Sequence, residues 1–206
     1  PADLPWSGMP HVALLPGSRT HVILNILPAM WEAAKLIEQK HPSASFIIPA
    51  PTQQAEKTVR AIISTLPAGP SRWNVVTGNT RHVLRQATAA MVASGTATIE
   101  TSFMECPMVV VYKTSFTTYL MGKLLVAIDN IGMVNIVAGK RICPELIQSA
   151  ASPEAIAGTI DPLLSNTPAR LAMIDDLKKV NATLGPANAS QNAATFILEE
   201  FVSTLH

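Results

Sequence analysis

Short apolar runs in this sequence end repeatedly on a small or turn-forming residue, and a helical pattern follows each one. His11-Val12-Ala13-Leu14-Leu15 stops at Pro16-Gly17, and Ala44-Ser45-Phe46-Ile47-Ile48 stops at Pro49 and Pro51. Trp73 to Val76 gives way to Thr77-Gly78-Asn79-Thr80, Ala89 to Ala93 runs into Ser94-Gly95, and Pro107 to Tyr112 is a fifth run. Runs this short and this evenly apolar fit strands covered on both faces. The stretches Val22 to Lys40, Thr52 to Leu66, Arg81 to Thr88 and Ile99 to Cys106 read as helices. In the first of them Ile23, Ile26, Leu27, Met30, Ala33, Ala34 and Ile37 fall on a 3.6-residue period, one apolar face. Five strands alternating with helices predict an α/β fold built on a doubly wound parallel sheet with right-handed crossovers.

The pattern changes after Tyr112. Thr114 to Ala127 reads as a helix with more apolar surface than one face needs, flanked by Lys113 and Lys123. It suits a membrane-surface face, a buried helix or a dimer contact. Met133 to Val137 is expected as a short sixth strand, and Pro144-Glu145-Leu146-Ile147-Gln148 as the start of another helix. Ser152-Pro153-Glu154 is a helix start with proline at the first position. Helices are predicted over 153–164, 167–184 and 188–204. The expected organisation is a linker over 1–10 continuing from an upstream part, a Rossmann-like α/β domain over 11–150 and a helical tail over 151–206.

Composition narrows the function. Charged residues make up 14% of the 206, against about a quarter in typical soluble domains. Apolar surface is therefore left for a partner, a second domain or a membrane. Net charge is +1, no long basic run occurs, and aromatics are 5%, so nucleic-acid binding is not expected. Cys106 and Cys143 lack the spacing of a zinc site and read as free thiols of a reducing compartment. Pro1-Ala2-Asp3-Leu4-Pro5 lacks the basic and apolar regions of a signal peptide. The longest apolar stretch, Pro107 to Ile128, is broken by Lys113 and Lys123 and is no membrane span.

Site chemistry gathers where strands end. In a parallel sheet these ends share one edge, where open α/β sheets bind ligands. Gly17-Ser18-Arg19, Gly78 with Arg81, Ser94 to Glu100, and Asn135 with Gly139 would all meet there. Ser94 is the expected N-cap, Gly95 permits close backbone approach, and Thr96, Ala97 and Thr98 keep side chains small around free N–H groups. Those N–H groups and the helix dipole favour an anion, above all phosphate. Arg19 adds a planar fork for phosphate. Glu100 would repel phosphate and is better suited to accept from sugar hydroxyls such as a ribose. The combination points to a nucleotide.

The ordered set also resembles a family. Leu14-Leu15-Pro16-Gly17-Ser18-Arg19, then Gly78 and Arg81, Ala93 to Glu100, Cys106-Pro107-Met108-Val109-Val110 with Tyr112, Asn135 with Ala138-Gly139, and Glu145-Leu146-Ile147-Gln148 resemble the carboxyl-terminal half of lipid-A-disaccharide synthases. The likeness runs over about residues 12 to 150. It implies a Rossmann-like half of a GT-B glycosyltransferase, of about six strands with carboxyl-terminal helices, and neither metal nor cofactor. The implied reaction joins UDP-2,3-diacylglucosamine to 2,3-diacylglucosamine 1-phosphate and releases UDP. Its setting would be the cytoplasmic face of the inner membrane of a Gram-negative-type bacterium, with the enzyme peripheral and homodimeric.

By the resemblance Arg19 and Asn135 are essential donor-site residues, and Gly17, Ser18, Gly95, Thr96 and Glu100 line the nucleotide. The acceptor site and acid/base residues would belong to the amino-terminal half, so this chain is expected to bind UDP without catalysing. Val22 stands where the family usually has Glu, and Thr77 and Thr88 where it often has Asp. Two other readings stay open: a non-catalytic nucleotide-binding or membrane-adhering module, and another UDP-sugar enzyme such as an epimerase.

Overall fold

The structure, a computed structural model, describes residues 3–113 and 130–185. The helices expected over 114–127 and 188–204 lie outside the described residues. Six strands form one sheet: β1 (His11–Leu15), β2 (Ser45–Ala50), β3 (Trp73–Thr77), β4 (Ala89–Ala93), β5 (Met108–Tyr112) and β6 (Glu145–Ile147). Their order is β3-β2-β1-β4-β5-β6 and every pairing is parallel. Val12 registers with Phe46 on one side and with Ala89 on the other, Met91 with Val109, and Tyr112 with Ile147.

The helices are α1 (Thr20–Lys40), α2 (Gln53–Ile63), α3 (Thr80–Gln86), α4 (Thr96–Phe103), α5 (Met133–Ala138), α6 (Pro153–Ile160) and α7 (Pro168–Leu184). One face of the sheet carries α1 with α2 and α6 against it, and the other carries α3, α4, α5 and α7. Both faces are therefore covered, and all of β2 and β4 and nearly all of β1 and β5 are buried. This is why those strands read as unbroken apolar runs rather than alternating ones. All seven apolar positions predicted for the face of α1 are buried, joined by Ala29 and Trp31.

Side chains start the later helices as the sequence suggests. Ser152 Oγ accepts from Ala155 N at 3.1 Å, and Thr167 Oγ1 from Arg170 N at 3.1 Å, each with proline next. The helices α6 and α7 place Ile156, Ile160, Met173, Leu177, Val180 and Leu184 in the same core as the sheet.

Two expectations are corrected here. Met133 to Val137 is not the sixth strand but most of α5, and Glu145 to Ile147 is not a helix start but β6. A five-residue run with four apolar positions fits a strand and a turn and a half of buried helix equally well, so periodicity cannot separate them. The decision is tertiary: Glu145, Leu146 and Ile147 find open pairing partners in Val110, Val111 and Tyr112. Met133 to Ala138 instead docks against α4 and α7.

Candidate functional site

The strand order reverses direction between β1 and β4, the switch point at which open α/β sheets leave a crevice at the carboxyl ends of the strands. A cleft of about 470 Å³ opens there. Its lining joins Gly17, Ser18, Arg19 and Val22 from the β1–α1 turn to Ser94, Gly95, Thr96, Ala97 and Glu100 from the β4–α4 turn. Leu15 and Ala93 at the ends of β1 and β4, Pro49 near the end of β2, Pro51 just after it, Thr80 at the start of α3 and Met133 at the start of α5 complete the wall.

Two glycines shape the floor. Gly17 has φ 105°, and a Cβ on it would fall 2.9 Å from Val22 Cγ1, so the turn needs both the positive φ and the missing side chain. Gly95 has φ 137° and ψ −161° and is the N-cap of α4. Each glycine therefore delivers a helix start to the cleft. Arg19 is the N-cap of α1, and its carbonyl accepts from Val22 N and Ile23 N at 2.9 and 3.0 Å. Helix geometry leaves the N–H groups of Thr20, His21, Thr96 and Ala97 without intrahelical acceptors. No acidic residue occupies the first turn of either helix, so the positive ends of both dipoles are uncompensated. The Arg19 side chain is exposed at the same mouth and makes no ion pair among the described residues. Two helix starts and a guanidinium favour an anion with more than one phosphate.

The expected cap is corrected. Ser94 does not cap α4: its hydroxyl donates across the cleft wall to the Ile131 carbonyl at 2.7 Å. Thr98 is fully buried, and both its N–H and its Oγ1 donate to the Gly95 carbonyl, at 3.1 and 2.8 Å. Glu100 lies one turn into α4 with Oε1 3.5 Å from Arg81 Nε on α3. This is a solvent-exposed ion pair at the rim, and among the described residues the other carboxylate oxygen has no partner, so it can accept from a hydroxyl.

Asn135 and Gly139 do not open onto the cleft. They sit on a helix, not at a strand end. Asn135 is fully buried, and Gly139 is the exposed left-handed C-cap of α5 with φ 63°. Gly78, at φ 70°, makes the turn after β3 and is not part of the lining. Conversely, Pro49, Pro51, Thr80 and Met133 line the cleft without a chemical signature; their position at or just after a strand's end or at a helix start is the signal that would have found them. Burial pushes the Cys106 and Cys143 thiols up to about 12, so neither is a thiolate nucleophile near neutral pH. Among the described residues no group of three or more His, Cys, Asp or Glu could hold a metal ion. No described helix is long and apolar enough to cross a membrane.

Comparison with known proteins gives a consistent family. A family model described as lipid-A-disaccharide synthetase matches residues 7–200. A lipid-A-disaccharide synthase of Syntrophus aciditrophicus is 39% identical over 187 residues, covering 91% of this chain and 48% of the relative. One of Anaeromyxobacter dehalogenans is 40% identical over 190 residues, with the same two coverages. The chain thus spans about half the length of these curated relatives. Among solved structures, an O-GlcNAc transferase of Thermobaculum terrenum superposes with TM-score 0.56 at 13% identity, over 98% of this chain and 38% of that one. The α,α-trehalose 6-phosphate synthase of Burkholderia multivorans gives 0.56 at 13%, over 97% and 44%. At such identities these establish the fold alone, a Rossmann-like α/β fold of the GT-B type.

Proposed function

We propose that this chain, which belongs to the lipid-A-disaccharide synthetase family, is the half of a glycosyltransferase that holds the sugar-nucleotide donor. The observation that carries this is the pair of uncompensated helix starts, α1 and α4, brought by Gly17 and Gly95 to one cleft at the β1/β4 switch point. The donor is UDP-2,3-diacylglucosamine and the acceptor 2,3-diacylglucosamine 1-phosphate, the pair implied by the family.

In this reading the acceptor hydroxyl attacks the donor's anomeric carbon, the bond from that carbon to the diphosphate oxygen breaks, and UDP leaves. The proton of the hydroxyl passes to a base outside this chain. Charge builds on the departing diphosphate. Fixed N–H dipoles of Thr96 and Ala97, with the Arg19 guanidinium, stabilise it without reorganising. Glu100, steadied by Arg81, accepts from the ribose.

The isolated chain binds UDP and does not form disaccharide, because catalysis needs acceptor and base held against the donor. The family implies a homodimer and a peripheral contact with the cytoplasmic face of the inner membrane, and the low charged fraction is in line with apolar surface left for such contacts. Calorimetry with UDP, against ADP and GDP, tests the donor site. UDP should bind and the purine nucleotides should bind more weakly. No heat with any of the three rejects the donor reading. Turnover of the acylated UDP-sugar by the isolated chain rejects the division of labour.

A further inference from the structure

The carboxylate of Glu145, on the edge strand β6, makes no ion pair among the described residues. It serves three donors instead. Its Oε1 accepts from Gly132 N at 2.9 Å and from Asn135 Nδ2 at 2.7 Å, and its Oε2 accepts from Ile131 N at 2.9 Å. It therefore holds the entry to α5, where Gly132 is the N-cap. The fit is close: a Cβ on Gly132 would lie 3.0 Å from Glu145 Oε1 and 3.3 Å from Val110 Cγ2.

Asn135 completes the clamp. Its Oδ1 accepts from Ile142 N and Cys143 N, both at 2.9 Å, and its Nδ2 also donates to the Cys143 carbonyl at 2.8 Å. All four hydrogen-bonding positions of the amide are filled by protein, leaving none for a ligand.

The clamp acts on the cleft through two contacts. The Ile131 carbonyl, whose own residue's N–H is held by Glu145, receives the Ser94 hydroxyl at 2.7 Å. Val134 N donates to Thr98 Oγ1 at 3.3 Å, and that hydroxyl donates to the Gly95 carbonyl at 2.8 Å. Ser94 and Gly95 are the turn that delivers α4, and Met133 between these contacts is a cleft wall.

We infer that Glu145 and Asn135 are positioning residues that fix the Ser94–Gly95 turn for a diphosphate, without touching the ligand. This rests on the donor reading above. It assigns the importance expected of Asn135 to the clamp rather than to contact, and adds Glu145 to the machinery.

Glutamine at 145 offers one acceptor oxygen where the carboxylate offers two, and sets an NH₂ against N–H donors. In the full chain, Glu145→Gln should weaken UDP and inorganic pyrophosphate by about tenfold or more while leaving uridine binding unchanged. Asn135→Asp would place a second carboxylate where the amide lies 2.7 Å from Glu145. Two carboxylates that close share a proton at low pH and repel at high pH. The ratio of variant to wild-type UDP affinity should therefore be higher at about pH 5 than at about pH 8, staying below one throughout because a protonated Asp has one donor where the amide has two. The Cys143 thiol beside the pair, pushed up to about 12 chiefly by burial, stays neutral over that range.

A wild-type chain that binds neither UDP nor pyrophosphate sinks the donor reading and this inference with it. A wild-type chain that binds UDP, with Glu145→Gln binding UDP and pyrophosphate equally well, sinks this inference alone. Equal losses for uridine, UDP and pyrophosphate also overturn it, since they mark a merely structural role. Should Glu145→Gln fail to fold, the pH series on Asn135→Asp decides, and a flat ratio overturns the inference.

Discussion

Gly95→Ala separates the backbone of the site from its side chains. At φ 137° and ψ −161° Gly95 occupies a region essentially restricted to glycine. A Cβ built there meets no atom within 4 Å, so crowding within the protein contributes nothing and the cost is torsional. Such a residue carries about 1–3 kcal/mol of strain. The molecule can meet that cost in two ways. If the turn holds, the folded state carries the strain and the melting temperature falls by about 2–4 °C per kcal/mol for a chain of this size. If the turn relaxes, the peptides flanking residue 95 rotate and the Thr96 N–H swings out of the cleft. The same free energy then appears as an affinity loss for UDP of about five- to 150-fold.

Gly139→Ala is the matched control. Gly139 is left-handed at φ 63° and ψ 9°, also has no atom within 4 Å of a built Cβ, and is not part of the cleft. An alanine there costs about 1–2 kcal/mol in stability and should leave UDP affinity untouched. Calorimetry and thermal melts on both variants form the assay. A Gly95→Ala chain that keeps both its melting temperature and its UDP isotherm refutes the argument. So do equal UDP losses in the two variants.

Three further outcomes are expected. Arg19→Ala should weaken UDP by about ten- to a hundredfold, the value of a charge-assisted bond, with little change in melting because the side chain is exposed and unpaired among the described residues; an unchanged isotherm returns Arg19 to the solvated surface. Gly69→Ala should destabilise by about 1–3 kcal/mol in chemical denaturation while the folded protein binds UDP normally, since its Cβ would lie 2.1 Å from the ring of the buried Trp31. Asp161 is held below its usual value by hydrogen bonds from Lys40 at 2.5 Å and His41 at 2.7 Å. Its contribution is therefore full above the unfolded value near about 3.9 and is lost as pH falls through the depressed folded value. Urea midpoints across the acid range should fall less steeply for Asp161→Asn than for the wild type, and parallel curves would reject the linkage.

Local chemistry carried much of this protein. The apolar runs of β1, β2, β4 and β5 are short and uninterrupted because both faces of the sheet are covered there, and burial on both faces is itself written as composition. The face of α1 follows from period alone, since every residue predicted to be inside is inside. Gly17 and Gly95 were legible because a strand feeding a helix through glycine has few other uses for it. Tertiary structure decided the rest, wherever a residue's partner is distant in sequence or its local pattern is degenerate. Met133 to Ala138 and Glu145 to Ile147 exchange their expected identities because the free edge of β5 is a property of the sheet, which a five-residue pattern does not contain. Ser94 looks like a cap in sequence, but its acceptor is the carbonyl of Ile131, 37 positions away. Asn135 looks like a ligand group until burial and four protein hydrogen bonds consume its amide. A polar side chain states which bonds it can make; only the packed fold determines which of them are left for a ligand.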